Sequence, residues 1–389
     1  MFKTSLQSSG KRPDGLIVVT TGKRTWTAIV EAKVGSSNLD AAQVEAYLEI
    51  ARDVGADAVI TMSNQFVTVP THHPVTVSKS KLRSVGLYHW SWTFLLTEAL
   101  LHEASRSISD SDQAFILREM VRYLEHDSSG IRSFQRMPRS WGDLCGSVQH
   151  GEQLSKNSSK VQEGIDAWHE LTRYMVLKMS VALGEAVDVK LSRAHKKMPE
   201  QRKQDDATDL ASSSPLTAVL DVPNAASNIG FSADLARRTL TTSMVLEAPK
   251  DRKRARSVCT WIYKQIAECP DGDVLILAKL PGSKKDTVAT LDQMRENRDV
   301  LLANRDGVMP WGFEVRRVLD LGGRFRGAKT FVEEAERALP SFYANVGQRL
   351  QAWVAPAPKI RSEPEVKEEV DGEESGPIAI GGGGSTIET

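Results

Sequence analysis

Hydrophobic residues alternate, and then recur at helical spacing, within the first sixty residues of the chain. Two apolar, β-branched runs at 15–21 and 24–34 flank the turn-forming pair Gly22 and Lys23, which predicts a β-hairpin. Residues 39–54 show helical periodicity, and a short apolar strand follows at 58–62. The order strand, strand, helix, strand predicts a mixed α/β unit.

Later segments predict a helical region and then a second α/β unit. Helical periodicity is present over 87–125 and again near 161–183, and the polar stretch 193–215 favours a linker or an exposed loop. The elements predicted beyond it are a strand pair (228–247), helices (252–267 and 287–302), strands (273–280 and 313–319) and a C-terminal helical region (329–353) interrupted at Pro340.

These patterns divide the chain into five segments. They are a first α/β module (1–85), helices packed on it (86–192), the linker (193–215), a second, smaller α/β domain with a basic helix (216–355) and an acidic tail (356–389). From Lys359 onward the tail has three basic and eight acidic residues and no aromatic residue, so we expect it to be disordered.

Composition narrows the class of protein without naming a function. Basic and acidic residues number 50 each, so any surface that attracts nucleic acid must be local. No apolar run is long enough to span a membrane, and residues 1–14 lack the apolar core of a secretion signal. Three cysteines without metal-site spacing favour a reducing compartment, so we expect a cytoplasmic protein that does not bind membranes.

Polar side chains converge at the open end of the predicted hairpin. The two-residue turn pairs Thr21 with Arg24 and, continued to the open end, Asp14 with Glu31. Because Glu31 and Lys33 are two apart on one strand, they point to the same face. We therefore expect two carboxylates and one ammonium group to lie together.

Two carboxylates at this distance repel each other unless a cation lies between them. Oxygen ligands with positions left for water suit Mg²⁺, with Mn²⁺ as an alternative. Such an ion lowers the pKa of a bound water, and Lys33 would stabilise the charge that develops on a phosphate. The alternative is an ion-pair group on an exposed sheet edge without any catalytic role.

Three short motifs resemble those of the PD-(D/E)XK nuclease superfamily. Pro13-Asp14 matches its first acidic motif, and Glu31-Ala32-Lys33 matches its E-x-K motif. Gln43 and Tyr47 match the Q-x-x-x-Y signature of RecB-type members, and their spacing of four places them on one helical face. The resemblance covers about residues 10 to 66.

The resemblance implies a restriction-endonuclease-like mixed sheet flanked by helices. It also implies Mg²⁺- or Mn²⁺-dependent hydrolysis of DNA in repair, a stress response or defence. Asp14 and Glu31 would be the metal ligands and Lys33 the catalytic lysine, with Gln43 and Tyr47 in the same site. DNA is the implied partner, with RNA as the alternative, and a homodimer or a larger defence or repair assembly is the implied setting.

One departure from the family concerns the beginning of its core, where a helix and a strand precede the first acidic motif. Only thirteen residues precede Asp14 here, so we expect these first elements to be missing. A catalytically incomplete nuclease fold that binds nucleic acid or acts as a scaffold is therefore the alternative function. A purely structural interaction protein is a third hypothesis.

A second candidate region lies in the last α/β unit. Five of the seven residues from 250 to 256 are basic, at the start of a predicted helix. Phosphate contact by Arg252, Lys253, Arg254 and Arg256 is one interpretation, and a solvated helix face is the other. For the histidines, we expect His72 and His73 to lie in an ordinary loop and His89 to be packed.

Overall fold

Two β-sheets organise the chain. In this computed structural model the described residues are 12–67, 69–105, 108–212, 215–282, 286–302, 307–355 and 357. Contacts between residues group Met1–Trp353 into one compact unit. No helix in the described part of the chain is long and apolar enough to cross a membrane. The predicted acidic tail lies outside the described residues except for Ala357.

The first sheet has four strands in the order β1-β2-β3-β4. They are β1 (Gly15–Thr21), β2 (Arg24–Ala32), β3 (Ala58–Ser63) and β4 (Gly86–Ser91). The β1–β2 pair is antiparallel, whereas β2–β3 and β3–β4 are parallel, so the sheet is mixed. The parallel step from β2 to β3 requires a crossover, and helix α1 (Ala41–Val54) provides it.

The second sheet has seven strands, all paired antiparallel, in the order β10-β9-β11-β8-β7-β6-β5. They are β5 (Asp188–Val189), β6 (Leu216–Asp221), β7 (Ile229–Asp234), β8 (Thr239–Glu247), β9 (Leu275–Lys279), β10 (Thr287–Thr290) and β11 (Gly312–Asp320). The mixed α/β class predicted from the sequence is confirmed at this level.

Helices surround the two sheets. After α1 they are α2 (Trp92–Ala104), α3 (Ser111–Glu125), α4 (Trp141–Gln149), α5 (Ser159–Leu183), α6 (Arg193–Lys197), α7 (Pro199–Ala211), α8 (Ala255–Ile266), α9 (Leu291–Glu296) and α10 (Ala328–Asn345). The long α5 is buried along most of its length, and the main core forms around it and one face of the second sheet. Trp168 on α5 stacks on Phe231 of β7 with ring centroids 5.4 Å apart.

Both faces of the first sheet are covered near its centre. On one face, Ile29 and Val59 pack against Val44, Leu48 and Ala51 of α1. On the other face a smaller cluster contains Ala28, Ala58 and Ile60, which side chains of β4 cover in part. Since β2 is buried on both sides here, a polar residue at its end must find its partners within the protein.

Several predicted elements differ from the structure. Residues 193–215 do not form a linker: most of them fold into α6 and α7, and Ala207 and Leu210 enter the main core. Residues 87–91 extend as β4 because they pair with β3, and 287–290 extend as β10 because they pair with β9. Helix α10 continues through Pro340 without interruption. In each case tertiary pairing or packing outweighs the local pattern.

Candidate active site

The β1–β2 hairpin has the register expected from its turn. Thr21 is paired with Arg24 across the turn, and the ladder continues to Gly15 opposite Val30. Gly22 adopts a φ of 59°, the left-handed conformation that a two-residue hairpin turn requires and glycine accepts readily. The turn thus determines which residues of β1 and β2 lie together at the open end of the hairpin.

Glu31 is the central residue of the site. Its side chain is 3% exposed, and its Oε1 accepts hydrogen bonds from Lys33 Nζ at 2.6 Å and from Gln43 Nε2 at 2.7 Å. Its other oxygen, Oε2, is buried and has no hydrogen-bond partner. A buried carboxylate oxygen without a partner costs more than the roughly 1–3 kcal/mol of an unpaired neutral group. The site therefore contains an acceptor that the described chain leaves unused.

Helix α1 supplies Gln43 and Tyr47 from one face, as their spacing predicts. Asp40 is the N-cap of this helix, and its carboxylate accepts the Gln43 backbone N–H at 2.9 Å. The Tyr47 hydroxyl donates to the Arg12 carbonyl at 3.1 Å, which ties the segment entering β1 to the helix. Gln43 thus orients the Glu31 carboxylate, and Tyr47 holds the backbone that leads to Asp14.

The pKa of Tyr47 reports the charges that surround it. Burial raises this pKa above its usual value, and the negative charges of Glu31 and Asp14 raise it further, whereas the Gln43 amide opposes the shift. The phenol therefore stays protonated at neutral pH, and it can donate its hydrogen bond to the Arg12 carbonyl.

Lys33 follows the end of β2 and is held at both backbone groups. Its N–H donates to the Met62 carbonyl at 2.8 Å, and its carbonyl accepts the indole N–H of Trp92 at 2.7 Å. Its side chain is 24% exposed, so the ammonium group has access to solvent while it contacts Glu31. The clamp by β3 and α2 fixes the direction in which Lys33 points.

Asp14 lies next to Glu31 but not as the cross-strand partner that was predicted. The ladder ends at Gly15, and the Asp14 backbone N–H donates to the Val30 carbonyl at 3.0 Å. The Asp14 carboxylate turns onto the end of β2, where Oδ2 accepts the Ala32 N–H at 2.8 Å. Asp14 is exposed, and its other oxygen, Oδ1, accepts no hydrogen bond from the described residues, so it is open to solvent or a cation.

A buried polar layer supports the strand beside Glu31. Glu31, Thr61 and His89 occupy paired positions on β2, β3 and β4, so their side chains share one face of the sheet. Thr61 Oγ1 lies 2.8 Å from His73 Nε2 and 2.8 Å from His89 Nδ1, and His89 Nε2 lies 2.9 Å from the Gln65 carbonyl. His89 is packed, as expected, and His73 connects its loop to the sheet.

Acid should destabilise the chain through these two imidazoles. Burial is the main cause that lowers the pKa of His73 and of His89 from 6.5 to about 4. The folded state therefore binds fewer protons than the unfolded state between these values, and the free energy of unfolding should fall as the pH is lowered through that range. At about 1.4 kcal/mol per pKa unit, the buried His89 contributes on the order of 3 kcal/mol.

Urea unfolding at about pH 7 and about pH 4.5 measures this effect. We expect His89→Gln to be less stable than the parent at the higher pH but to lose less stability between the two pH values. An equal loss in the parent and the variant would show that His89 is not the titrating group.

The donor set of the site suits a hard divalent cation with open positions. No cluster of three or more His, Cys, Asp or Glu side chains able to hold a metal occurs within the described residues. Glu31 Oε2 and Asp14 Oδ1 are the two unused carboxylate oxygens, which fits Mg²⁺ or Mn²⁺ bound through one or two carboxylates plus water and substrate phosphate. This set does not fit a structural zinc site, which needs four protein ligands.

The predicted basic run does not form a basic helix. Arg252 and Lys253 precede α8, and Arg254 is its N-cap residue without a side-chain capping bond. Arg256, in the first turn, forms a bidentate ion pair with Asp299, with one bond of 2.8 Å. Because carboxylate pairing neutralises Arg256, it is the weakest phosphate candidate of the four.

Comparisons of the chain with protein-family models, with curated proteins and with solved structures found no match. The chemistry of this site must therefore be inferred from its own side chains and their geometry.

Proposed function

We propose that this protein is a metal-dependent nuclease that hydrolyses DNA phosphodiester bonds. The buried Glu31 carboxylate carries this proposal: Lys33 and Gln43 hold one of its oxygens, while the other has no partner. A purely structural ion pair would gain nothing from such an oxygen, whereas a metal ligand requires one. The proposal includes the restriction-endonuclease-like fold for the first sheet and α1.

Each residue of the site has a defined part in this proposal. Glu31 and Asp14 would hold Mg²⁺ or Mn²⁺, and the bound ion would supply an activated water and shield the phosphate. Lys33 lies within hydrogen-bond distance of Glu31, where its ammonium group would stabilise the charge that develops on a neighbouring phosphate oxygen. In this proposal Gln43 and Tyr47 are positioning residues, because Gln43 holds the Glu31 carboxylate and Tyr47 holds the Arg12 carbonyl.

DNA is the proposed substrate, with RNA as the alternative. The E-x-K and Q-x-x-x-Y residues occupy one site, as the resemblance to RecB-type nucleases implies, and this supports a repair, stress-response or defence role. The expectation that the first elements of the family core are missing concerns mainly residues 1–11, which lie outside the described residues. That part of the resemblance stays a prediction.

A second candidate function is a nucleic-acid-binding or scaffold module with an incomplete catalytic site. One observation favours it: the part of the chain that the structure describes brings two carboxylates to the site and no third metal-ligating side chain. The Asp14 carboxylate also already accepts the Ala32 N–H. Under this hypothesis Lys33 and Glu31 form a structural ion pair.

Metal titration combined with a cleavage assay tests the proposal. We expect the full chain to bind Mn²⁺ in calorimetry and to cleave end-labelled single-stranded or linear duplex DNA with Mg²⁺ or Mn²⁺, but not with EDTA. Metal binding without cleavage of DNA or RNA would favour the binding module. A chain that neither binds metal nor cleaves would refute the nuclease proposal.

A further inference from the structure

A basic cavity lies between the start of α8 and the segment after α10. It has a volume of about 700 Å³, and it is lined by five basic side chains, Arg252, Arg254, Arg256, Lys264 and Arg349. None of the described residues that line it is acidic. We call this region the basic cavity; it uses no residue of the Glu31 site.

Three of these cations are available to a ligand. Arg256 is paired with Asp299, and Arg252 lies 3.9 Å from the Asp251 carboxylate. In contrast, no ion pair among the described residues includes Arg254, Lys264 or Arg349, although Arg349 Nε donates a hydrogen bond to the Asn345 carbonyl at 3.0 Å. Three unpaired cations around one concave surface create a local positive potential on a chain of zero net charge, and such a potential attracts an anion with several charges.

Trp261 forms part of the cavity wall. Its ring lies 6.4 Å from that of Phe313 in the core, and the residue is only partly buried, so the indole is anchored on one side and borders the cavity on the other. An aromatic ring beside unpaired cations is the arrangement on which bases of single-stranded nucleic acid stack. A paired duplex would not offer a base face to this wall.

Gln265 provides a second, independent observation. Its Oε1 accepts the Gln351 backbone N–H at 2.6 Å, which fixes the orientation of the amide. Its Nε2 is buried and has no hydrogen-bond partner, although the residue lines the cavity. An acceptor on a bound ligand, such as a phosphate oxygen or a base carbonyl, would satisfy this donor.

We propose that the basic cavity binds single-stranded nucleic acid, with Arg254, Lys264 and Arg349 contacting successive phosphates and one base stacked on Trp261. A polymer is favoured over a mononucleotide because three cations without ion-pair partners line the cavity beside one aromatic ring, so that a chain can place one base on Trp261 and the phosphates of successive nucleotides on the cations. The binding needs no metal and does not depend on whether the Glu31 site cleaves DNA.

Fluorescence anisotropy with a labelled oligothymidylate of about twelve nucleotides, in EDTA, tests the charges. For the full chain with Arg254, Lys264 and Arg349 replaced by Ala, we expect affinity to fall at least about tenfold at low salt and the salt slope to decrease by about 2. The control replaces Arg122, Arg237 and Lys329, which are exposed and do not line the cavity, by Ala. Equal losses in both triple variants would refute a localised site.

An abasic oligonucleotide of the same length and charge tests the stacked base. The parent should bind it about tenfold more weakly than oligothymidylate, and Trp261→Leu should bind both equally. Equal binding of the two ligands by the parent would refute stacking. If the parent bound duplex DNA more strongly than oligothymidylate, the preference for single strands would be refuted. If ATP competed at the same concentration as the oligonucleotide, the preference for a polymer would be refuted. Because EDTA removes divalent metal, these outcomes are separate from the nuclease test.

Discussion

Glu31→Gln should abolish metal-dependent cleavage while the chain remains folded. The substitution keeps the size of the side chain but removes the negative charge of the buried carboxylate. The site therefore loses the proposed metal ligand whose second oxygen has no other partner. We expect the cleavage rate to fall by about a hundred- to a thousandfold, the size of effect seen when one preorganised electrostatic group is removed. Calorimetry should show that Mn²⁺ binding is lost at the same time.

Glu49→Gln is the matched control for this variant. Glu49 lies on the same helix as Gln43 and pairs with Lys81, as Glu31 pairs with Lys33, but its side chain is 47% exposed. This control removes an ion pair of the same kind without removing the proposed ligand, so its activity should equal that of the parent. If Glu31→Gln cleaved as fast as this control, the activity would belong to another site.

Lys33→Met should separate metal binding from catalysis. Lys33 contributes a positive charge beside Glu31 and no metal ligand, so Mn²⁺ should still bind. The rate should fall by about a hundredfold or more, because the ammonium group would matter most as charge develops on the phosphate. Single-turnover cleavage at saturating metal measures this loss directly.

Lys81→Met provides the corresponding control, since Lys81 and Lys33 are equally exposed, at 24%, and each pairs with a glutamate. We expect Lys81→Met to cleave at the parental rate. Loss of Mn²⁺ binding in Lys33→Met would assign Lys33 to positioning Glu31 rather than to catalysis. An unchanged rate would remove Lys33 from the mechanism.

Much of the candidate site could be predicted from local rules. The two-residue turn at Gly22 determines the hairpin register, and the two-residue period of a strand places Glu31 and Lys33 on one face. The four-residue spacing of Gln43 and Tyr47 places both on one face of α1. Each of these relations involves residues close in sequence, so backbone geometry alone decides them.

Local sequence patterns did not predict the structure correctly where a segment pairs or packs with residues distant in sequence. Residues 87–91 follow a pattern that favours a helix, but pairing with β3 extends them and places His89 beside Thr61. The polar stretch 193–215 buries two apolar side chains in the main core, which composition does not reveal. The Asp14 carboxylate accepts the backbone N–H of Ala32 at the end of β2. Strand pairing alone does not predict this contact, because it involves a side chain rather than the backbone of residue 14.

The basic cavity shows the same division. The run from Arg252 to Arg256 is visible in the sequence, but the pairing of Arg256 with Asp299 depends on a residue forty-three positions away. Nothing in the sequence distinguishes Lys264 from the other residues of α8. Only the fold brings Lys264 and Arg349 to the same cavity. The acidic partner of Arg252, Asp251, is adjacent in sequence, whereas the partner of Arg256 is supplied only by the fold.

By itself, the sequence determined the mixed α/β class, the hairpin with its register, and two pairs of side chains, Glu31 with Lys33 and Gln43 with Tyr47, each on one face of its element. Only the tertiary structure decided that one Glu31 oxygen is buried without a partner, that Trp92 and Met62 clamp Lys33, and which arginines remain unpaired. The reason is physical: turns and periodicity act over a few residues, whereas burial and ion pairing depend on segments that meet only after folding.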